Sequence, residues 1–420
     1  MTTMNTIDFG IQASEDLDAT LNEFSRSNLN SLQSSNVPTR KTEAWKYSAA
    51  RLKLANSFPT LLASNQTSKW NEAYSLDCDT IVISNNLIQE HSLKSDQVTL
   101  KSFSELDESE SRKLTEGAIA QSEKLEFAQL SAAYMQNGLY IQVQANAKIE
   151  KPLRVVFDHS GNGISLPRVF LDVGENASIT LIEELRLQSE QPSDSLVSSV
   201  CDINVGANAS VRYLRMNQDD GHSKHVGATG VSLHRDSRFE SYCLALGSEL
   251  ARHDLLVKML GTGAECDLNG VCITTDKQHF DNHTCIEHIA PHCTSNENYR
   301  CIADGKSKIV FNGRIHIHRD AQKTLGSMSN KNLLLSSEAE IDSKPELEIY
   351  ADDVKCAHGT TIGQLDETEL YYLKTRGICH EDAKLMLTLG FILEIVRATP
   401  VDAIAEYWEK RLSEILSYEL

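Results

Sequence analysis

A cysteine and a histidine stand two positions apart, at Cys356 and His358, late in this 420-residue chain. In an extended strand, side chains at positions i and i+2 project from the same face, so the thiol and the imidazole would lie side by side. Thiolate sulfur and imidazole nitrogen are both suitable ligands for soft metal ions. The pair is therefore a candidate metal site. The simpler alternative is a half-buried strand with a small apolar cysteine and a hydrogen-bonded histidine.

A second group of nitrogen and sulfur ligands is crowded into residues 279–293. Their spacings match no ligand pattern of known geometry, and Pro291 and residues 296–298 should interrupt any continuous strand. A homo-oligomeric, metal-binding β-helix protein built on this segment stays open as an alternative function. The group consists of His279, His283, Cys285, His288, His292 and Cys293.

A phosphate-binding loop is incomplete in this chain. Residues 304–307 carry the letters DGKS, but the pattern needs a glycine where Arg300 stands and a helix afterwards. The following residues, 308–318, instead predict two short strands around Asn312 and Gly313. We expect no nucleotide binding through this segment.

A carbohydrate-active β-helix enzyme is also disfavoured. Such enzymes use paired carboxylates on one face. The adjacent pair Asp352 and Asp353 would point to opposite faces of a strand. We therefore do not expect a carbohydrate-active enzyme.

The composition bounds the compartment and the partners. The formal net charge is −19 and the isoelectric point is near 5.2, which disfavours a nucleic-acid or anionic-membrane surface. The longest apolar run, residues 385–396, is too short to span a bilayer, and residues 1–9 lack the pattern of a secretory signal. We expect a cytoplasmic protein whose ten cysteines are reduced thiols, without a disulfide framework.

The chain divides into three predicted regions, of which the first covers residues 1–137 and is helical or mixed. Residues 14–35 carry apolar side chains at helical spacing and predict an amphipathic helix. The following sequence PTRKTEAWKY at 38–47 is either a binding patch or a helix start with Trp45 packed inward. Residues 55–110 predict a small α/β region with short strands such as 80–83.

The second region, residues 138–362, predicts repeated short strands. Residues 169–181 are echoed by residues 201–213, and both contain the pattern V-G-x-N-A-S at a polar turn. Looser versions recur at 260–268 and 336–342. A strand, tight turn and strand repeated in this way favours a β-solenoid over the competing sandwich or jelly roll.

The third region, residues 363–420, is helical. Asp366 and Glu369 predict a cap for a helix that ends before Gly377, and the pair Thr399-Pro400 precedes another helix. Residues 385–396 are apolar on all sides, so their helix should be buried, either within the chain or by a partner.

Several of these motifs together resemble the SufB/SufD family of iron–sulfur cluster assembly proteins. The resemblance rests on VFNG at 310–313, AQKT at 321–324, NKNLLLS at 330–336, KPELEIYADDVKCAHGTTIGQL at 344–365 and YLKTRGI at 372–378. It extends over nearly the whole chain, and residues 38–47 resemble the N-terminal signature of the SufD branch. SufB-like chains carry a cysteine in the segment that corresponds to residues 326–332, where this chain has none.

The resemblance implies a fold and a set of partners. The fold would be a right-handed parallel β-helix flanked by helical N- and C-terminal domains. The chain would pair with SufB through the β-helix and bind the ATPase SufC through the C-terminal helices, where Leu389, Phe391 and Ile392 are candidate contacts. Dimerisation of SufC on ATP binding would strain this scaffold and open the SufB–SufD interface, and the chain itself would be a non-catalytic subunit.

The resemblance also implies a role for the first pair of residues. His358 would face the interface on which a nascent iron–sulfur cluster is built, with Cys356 as a second ligand, and both would hold metal only transiently. The cluster would be shared with SufB, and the isolated chain would hold none stably. A homodimer through the same edge stays open for the isolated chain.

Overall fold

The computed structural model describes residues 16–52, 74–121, 125–135, 137–161, 163–188, 195–219 and 223–417. In this part of the chain the protein is mainly β. It forms a β-solenoid of about seven turns with helices at both ends, as predicted.

The described helices lie before residue 138 and after residue 363. They are α1 (Ala19–Ser34), α2 (Ala49–Leu52), α3 (Glu108–Gly117), α4 (Glu126–Ala133), α5 (Glu367–Thr375), α6 (His380–Arg397) and α7 (Asp402–Leu416). Short 3-10 turns lie at Glu43–Trp45, Phe103–Glu105 and Ile119–Gln121.

The strands are joined by short connections, except that residues 103–138, which include two of the helices, separate the third strand from the fourth. They are β1 (Asp79–Ser84), β2 (Leu87–His91), β3 (Val98–Ser102), β4 (Leu139–Val143), β5 (Leu153–Ser160), β6 (Gly163–Ser165), β7 (Arg168–Val173), β8 (Ser178–Gln188), β9 (Ser195–Val197), β10 (Val200–Val205), β11 (Ser210–Asp219), β12 (Lys224–Leu233), β13 (Arg238–Leu246), β14 (Leu250–Met259), β15 (Glu265–Thr274), β16 (His279–His288), β17 (Thr294–Ala303), β18 (Lys308–Ile317), β19 (Thr324–Leu334), β20 (Glu340–Ile349) and β21 (Val354–Gly363).

Alternate strands build two sheets that face each other. The first sheet has the order β2-β1-β5-β8-β11-β13-β15-β17-β19-β21, and the second runs β20-β18-β16-β14-β12-β10-β7-β4-β3, with β6 and β9 beside it. Pairing is parallel except at β1/β2 and β3/β4. The sheets therefore extend N-terminal of residue 138, where the sequence predicted the solenoid to begin.

The repeated turns explain the repeated sequence. Cys201 pairs with Val169 and Ser210 with Ser178, so the two echoed segments are successive rungs in register, as predicted. Each of these two turns holds an asparagine with positive φ, at 57° for Asn176 and 56° for Asn208. Asparagine tolerates this conformation well. The Asn208 amide donates to the Asn176 side chain at 2.8 Å, which stacks one turn on the next.

The interior between the sheets is packed with side chains from alternate positions of every strand. Most are apolar, such as Ile286, Ile315 and Phe311 in the second sheet. Because each rung buries its inner face against its neighbours, only the two ends of such a stack need a separate cover.

The N-terminal segment covers the outer face of the second sheet. Trp45 is 2% exposed, and the Arg252 guanidinium lies 4.2 Å from the centre of its ring. Arg252 also pairs with Asp254 at 2.7 Å and with Asp281 at 3.0 Å. Trp45 is therefore packed inward, which is the second of the two alternatives given for this segment.

The C-terminal helices cover the outer face of the first sheet. Trp408 of α7 is buried, and its indole N–H donates to the Met216 sulfur at 3.3 Å. The Asp366 side chain accepts from the Thr368 amide and caps α5, which ends before Gly377, as predicted. Helix α7 begins after Thr399-Pro400, also as predicted.

Two predictions of strand breaks were wrong. Residues 308–317 form the single strand β18, not two strands around Asn312 and Gly313. A side chain at Gly313 would meet the Met328 sulfur at 2.7 Å, so this glycine makes room in the interior and does not form a turn. Residues 296–298 lie inside β17, where the Asn296 amide donates to Asp267 on the neighbouring strand at 2.9 Å.

Among the described helices, none combines the length and the apolar character that crossing a lipid bilayer requires.

Candidate functional site at the open end of the solenoid

Among the residues that the structure describes, none adds a strand to the last rung of the solenoid, which is formed by β20 and β21. Each of these strands has a hydrogen-bonded neighbour on one side only. Most residues of β21 are exposed, and those of β20 are mostly half-buried. Large apolar side chains are exposed here, with Ile349 at 41% and Ile362 at 49%. An uncovered rung with free backbone groups and apolar side chains is a surface on which further strands can be added.

Cys356 and His358 both lie on this last rung. In β21 they pair with Gly326 and Met328 of β19, two positions that point into the solenoid. Their side chains therefore share the inner face, as their spacing predicted, and they lie at the open end of the interior. Cys356 is half-buried, and His358 is exposed.

The surroundings of Cys356 favour the protonated thiol. Its sulfur lies over Gly326, 3.4 Å from where a Cβ atom at residue 326 would stand. A shallow depression of about 240 Å³ beside it is lined by residues that include Ser327 and Lys355. Burial raises the pKa of the Cys356 thiol. Metal binding would have to supply the energy for deprotonation, because the thiolate is the ligand form.

A layer of polar side chains on β19 and β20 supports the last rung, and no sequence pattern predicted its role. Asn330 is fully buried in β19, and its side-chain oxygen accepts from the Ser343 hydroxyl of β20 at 2.7 Å. Ser343 also lies 2.9 Å from the Thr360 hydroxyl of β21. Asn332 donates to the Thr361 carbonyl at 3.0 Å. These bonds join the two sheets at the open end and fix the strand that carries His358.

The second group of predicted metal ligands does not converge. His279, His283 and Cys285 point outward from β16, whereas His288 points inward and lies 2.8 Å from the Ser295 hydroxyl. His292 and Cys293 lie in the turn that follows. Across the parts of the chain described, no three His, Cys, Asp or Glu side chains are grouped to hold a metal ion.

Cys285 has a cationic neighbour, but burial has the larger effect on its pKa. It lines a groove of about 570 Å³ on the outer face of the second sheet. The Arg314 guanidinium donates to its sulfur at 3.3 and 3.4 Å. Burial nevertheless raises the pKa of Cys285 to about 11. A thiol that stays protonated is a poor metal ligand. This further weakens the alternative of a homo-oligomeric, metal-binding β-helix protein.

The C-terminal helices present a second exposed apolar surface. Met386 of α6 is 52% exposed, and Tyr371 and Tyr372 of α5 are 69% and 56% exposed. Leu389 and Phe391 are half-buried. Helix α6 is thus only partly enclosed by the described residues, so they do not provide by themselves the complete burial that was one of the two alternatives for this helix. We call these exposed residues of α5 and α6 the helical face.

One of the predicted contacts on α6 needs correction. Ile392 is fully buried in a cluster with Val271 and Ile302 of the solenoid. It packs α6 on the first sheet and offers no surface to a partner. Sequence spacing alone did not separate the two sides of this helix, because apolar residues occupy both.

The fold and the site define a class of protein, a β-solenoid with helical units at both termini whose last rung is left open by the described residues. The family model for the SUF system FeS cluster assembly, SufBD core domain, matches residues 156–391, and that for the SufBD protein N-terminal region matches residues 12–155. The chain belongs to the SufB/SufD family of iron–sulfur cluster assembly proteins.

Individual relatives agree with this assignment. The iron-sulfur cluster assembly protein SufD of Escherichia coli is 30% identical over 88% of this chain and 87% of its own. SufD of Bacillus subtilis is 28% identical over 66% of this chain and 63% of its own. A SufBD family protein of Synechocystis is 32% identical over the same shares of the two chains.

Proposed function

We propose that this chain is a SufD-like scaffold subunit, on which an iron–sulfur cluster is assembled together with a SufB partner and a SufC ATPase. The observation that carries the proposal is the uncovered last rung, where Cys356 and His358 face the open interior. A second solenoid docked here would cover Ile349 and Ile362 and continue both sheets. The cluster is then the product of the assembly, shared across the interface and later released.

His358 is the residue that we assign to the assembly site. It is exposed, it points along the open interior, and neutral imidazole is a ligand for iron in proteins. Cys356 lies on the same face but is half-buried and protonated, so it is the weaker candidate. The thiolates that nascent clusters require would come mainly from the partner.

The helical face is the surface that we assign to the ATPase partner. Leu389 and Phe391 lie at its border, and Met386 with Tyr371 and Tyr372 supplies most of the exposed apolar area. Aromatic and methionine side chains of this kind are enriched at protein interfaces. In this assignment, the chain itself performs no hydrolysis. Its acidic composition and its ten free thiols fit a reducing cytoplasm.

The test is the cluster content of the complex formed with the SufB and SufC of the same organism. The variant His358→Ala should leave the complex intact and lower its iron and acid-labile sulfide. His234→Ala is the matched control, since His234 is also exposed but lies at a turn, 2.9 Å from Asn204. Unchanged iron and sulfide in the His358→Ala complex would reject this role for His358.

A homodimer is the outcome to separate from this proposal. The same uncovered rung could accept a second copy of this chain when no SufB is present. Size exclusion of the chain alone, and then with SufB, measures whether the homodimer or the pair with SufB is the more stable. If a homodimer persists with SufB in excess, the proposed pairing fails.

A further inference from the structure

A buried cation joins helix α6 to the solenoid beside the apolar cluster that contains Ile392. Arg300 points outward from β17 and its side chain is 9% exposed. Its guanidinium donates to the Phe391 carbonyl and to the Glu394 carboxylate, and it lies 5.7 Å from the centre of the Phe391 ring. The positions beside it in the first sheet, Val271 and Ile302, are apolar and packed under the helix.

Attaching a helix through a buried guanidinium costs desolvation free energy. Desolvating the charge offsets much of its attraction to Glu394, whose side chain is 73% exposed and screened by water. An apolar side chain at position 300 would extend the cluster of Val271 and Ile302 without that cost. What the charge adds is direction, because the hydrogen bonds from its two terminal nitrogens to Phe391 and Glu394 form at one position of α6 on the sheet.

The same helices are connected to the last rung through the chain itself. Strand β21 ends at Gly363, and α5 begins at Glu367, so three residues join them. Helix α5 packs on α6. The strand β21 has β19 as its sole neighbour in the sheet, so the backbone groups of its other edge have no partner strand among the described residues.

In this arrangement α6 is held in position on the sheet, whereas α5 is linked to the last strand. Arg300 fixes α6 two strands away from β21, while α5 is joined to β21 directly. Without Arg300, α6 would be held by apolar contacts such as those of Ile392 with Val271 and Ile302, which have no fixed direction, and a displacement of the helical face would move α5 and α6 together over the sheet. With it, the displacement acts on the short link to β21 and therefore on Cys356 and His358.

We propose that Arg300 is a positioning residue that couples the C-terminal helices to the cluster-building strand β21. The proposal rests on the function proposed above, in which an ATPase acts on the helical face. It assigns no contact between Arg300 and the cluster.

The test compares Arg300→Met with Arg212→Met in the complex with SufB and SufC. Arg212 is the matched control, because it also points outward from the first sheet and pairs with a glutamate, Glu240, but is 57% exposed. Three quantities are measured: complex formation by size exclusion, the rate of ATP hydrolysis, and iron and sulfide incorporated per ATP hydrolysed. A fourth is the ATP-dependent increase in alkylation of Cys356, followed by mass spectrometry.

We expect the substitution to affect cluster assembly per ATP without affecting complex formation or ATP hydrolysis. Arg300→Met should form the complex and hydrolyse ATP like the parental chain. It should lower both the incorporation per ATP and the ATP-dependent alkylation of Cys356 about fivefold or more, the scale of a typical coupling between sites. A residue that only supported the fold would lower complex formation or ATP hydrolysis and leave the incorporation per ATP unchanged. That second result, or equality with Arg212→Met, overturns the proposal.

A second variant keeps the test decisive if Arg300→Met does not assemble. Glu394→Lys places a like charge beside Arg300 at an exposed position, where substitution should leave the fold intact. It should reproduce the loss of incorporation per ATP, and parental values would overturn the proposal. If the parental chain itself forms no complex with SufB and SufC, the proposed function fails before Arg300 is tested.

Discussion

The carboxyl group of Glu297 lies inside the solenoid, and we expect it to make the stability of the protein depend on pH. The residue is 2% exposed, and its neighbours in register, Leu268 and Met328, are apolar. The Thr284 hydroxyl donates to it at 2.5 Å. Burial raises the pKa of Glu297 from 4.5 to about 7. In the same row of the first sheet, His358 lies two strands further on.

The sign and size of the effect follow from this pKa. Between pH 4.5 and about 7 the folded chain keeps a proton that the unfolded chain has lost, so stability falls as the pH rises through this window. Above the window the loss is complete. At 1.36 kcal/mol for each pH unit, the part of the loss that falls between pH 6 and pH 8.5 is about 1.4 kcal/mol.

The assay is urea unfolding of Glu297→Gln and of the parental chain at both pH values. Glutamine keeps the volume and an acceptor for Thr284 but cannot ionise. Any constant cost of its amide group cancels between the two pH values. The free energy of unfolding of the variant, relative to the parental chain, should therefore rise by about 1.4 kcal/mol from pH 6 to pH 8.5.

Glu175→Gln, at an exposed turn, is the control and should show no such rise. A difference between Glu297→Gln and the parental chain that is the same at both pH values would refute the reasoning, since it would mean that the carboxyl group is hydrated or paired in the folded protein.

The remaining predictions concern the N-terminal segment, the last rung and the helical face. Trp45→Ala should lower the free energy of unfolding by about 3–5 kcal/mol, because a buried ring is lost from the face of Arg252. Urea midpoints measure it, and a loss below about 1 kcal/mol, in the range of an ordinary surface change, would contradict the packing of residues 43–47. Ile362→Asp, at a side chain 49% exposed, should leave the urea midpoint unchanged but abolish pairing with SufB. Co-elution of this variant with SufB would rule out the open end as the interface. Met386→Asp should abolish SufC binding with an unchanged circular dichroism spectrum, whereas Leu260→Asp, 41% exposed at a solenoid turn, should not. SufC binding by a folded Met386→Asp variant would exclude the helical face.

The architecture was predictable from sequence where a local pattern fixed the backbone. The V-G-x-N-A-S echo marked turns because asparagine at Asn176 and Asn208 adopts positive φ there. The shift from strands to helices after Gly363 was equally local, since a capping aspartate and helical spacing follow at once. The shared face of Cys356 and His358 followed from strand geometry alone.

The strand breaks were mispredicted because pairing in a solenoid comes from residues far along the chain. Asn296 is a poor strand residue by itself, but Asp267 and Ser327 on the adjacent strands hydrogen-bond to its side chain at 2.9 and 2.8 Å. Such ladders turn polar residues into strand residues, and their partners lie 29 and 31 positions away.

The supporting residues of the site were missed for the same reason. Arg300 meets Glu394 across 94 positions, and Asn330 meets Ser343 across a turn between the two sheets. No spacing rule connects them. The burial of Glu297 depends on Met328 and Leu268, which become its neighbours only after the rungs have stacked.

The central claim is that the open last rung completes a cluster-assembly site with a partner. The most direct measurement is co-expression of the tagged chain with the SufB and SufC of the same organism, followed by size exclusion and by iron and sulfide analysis of the eluted complex. The account predicts co-elution of all three chains with labile iron and sulfide. A solitary chain free of both, although SufB and SufC are present and folded, would contradict it.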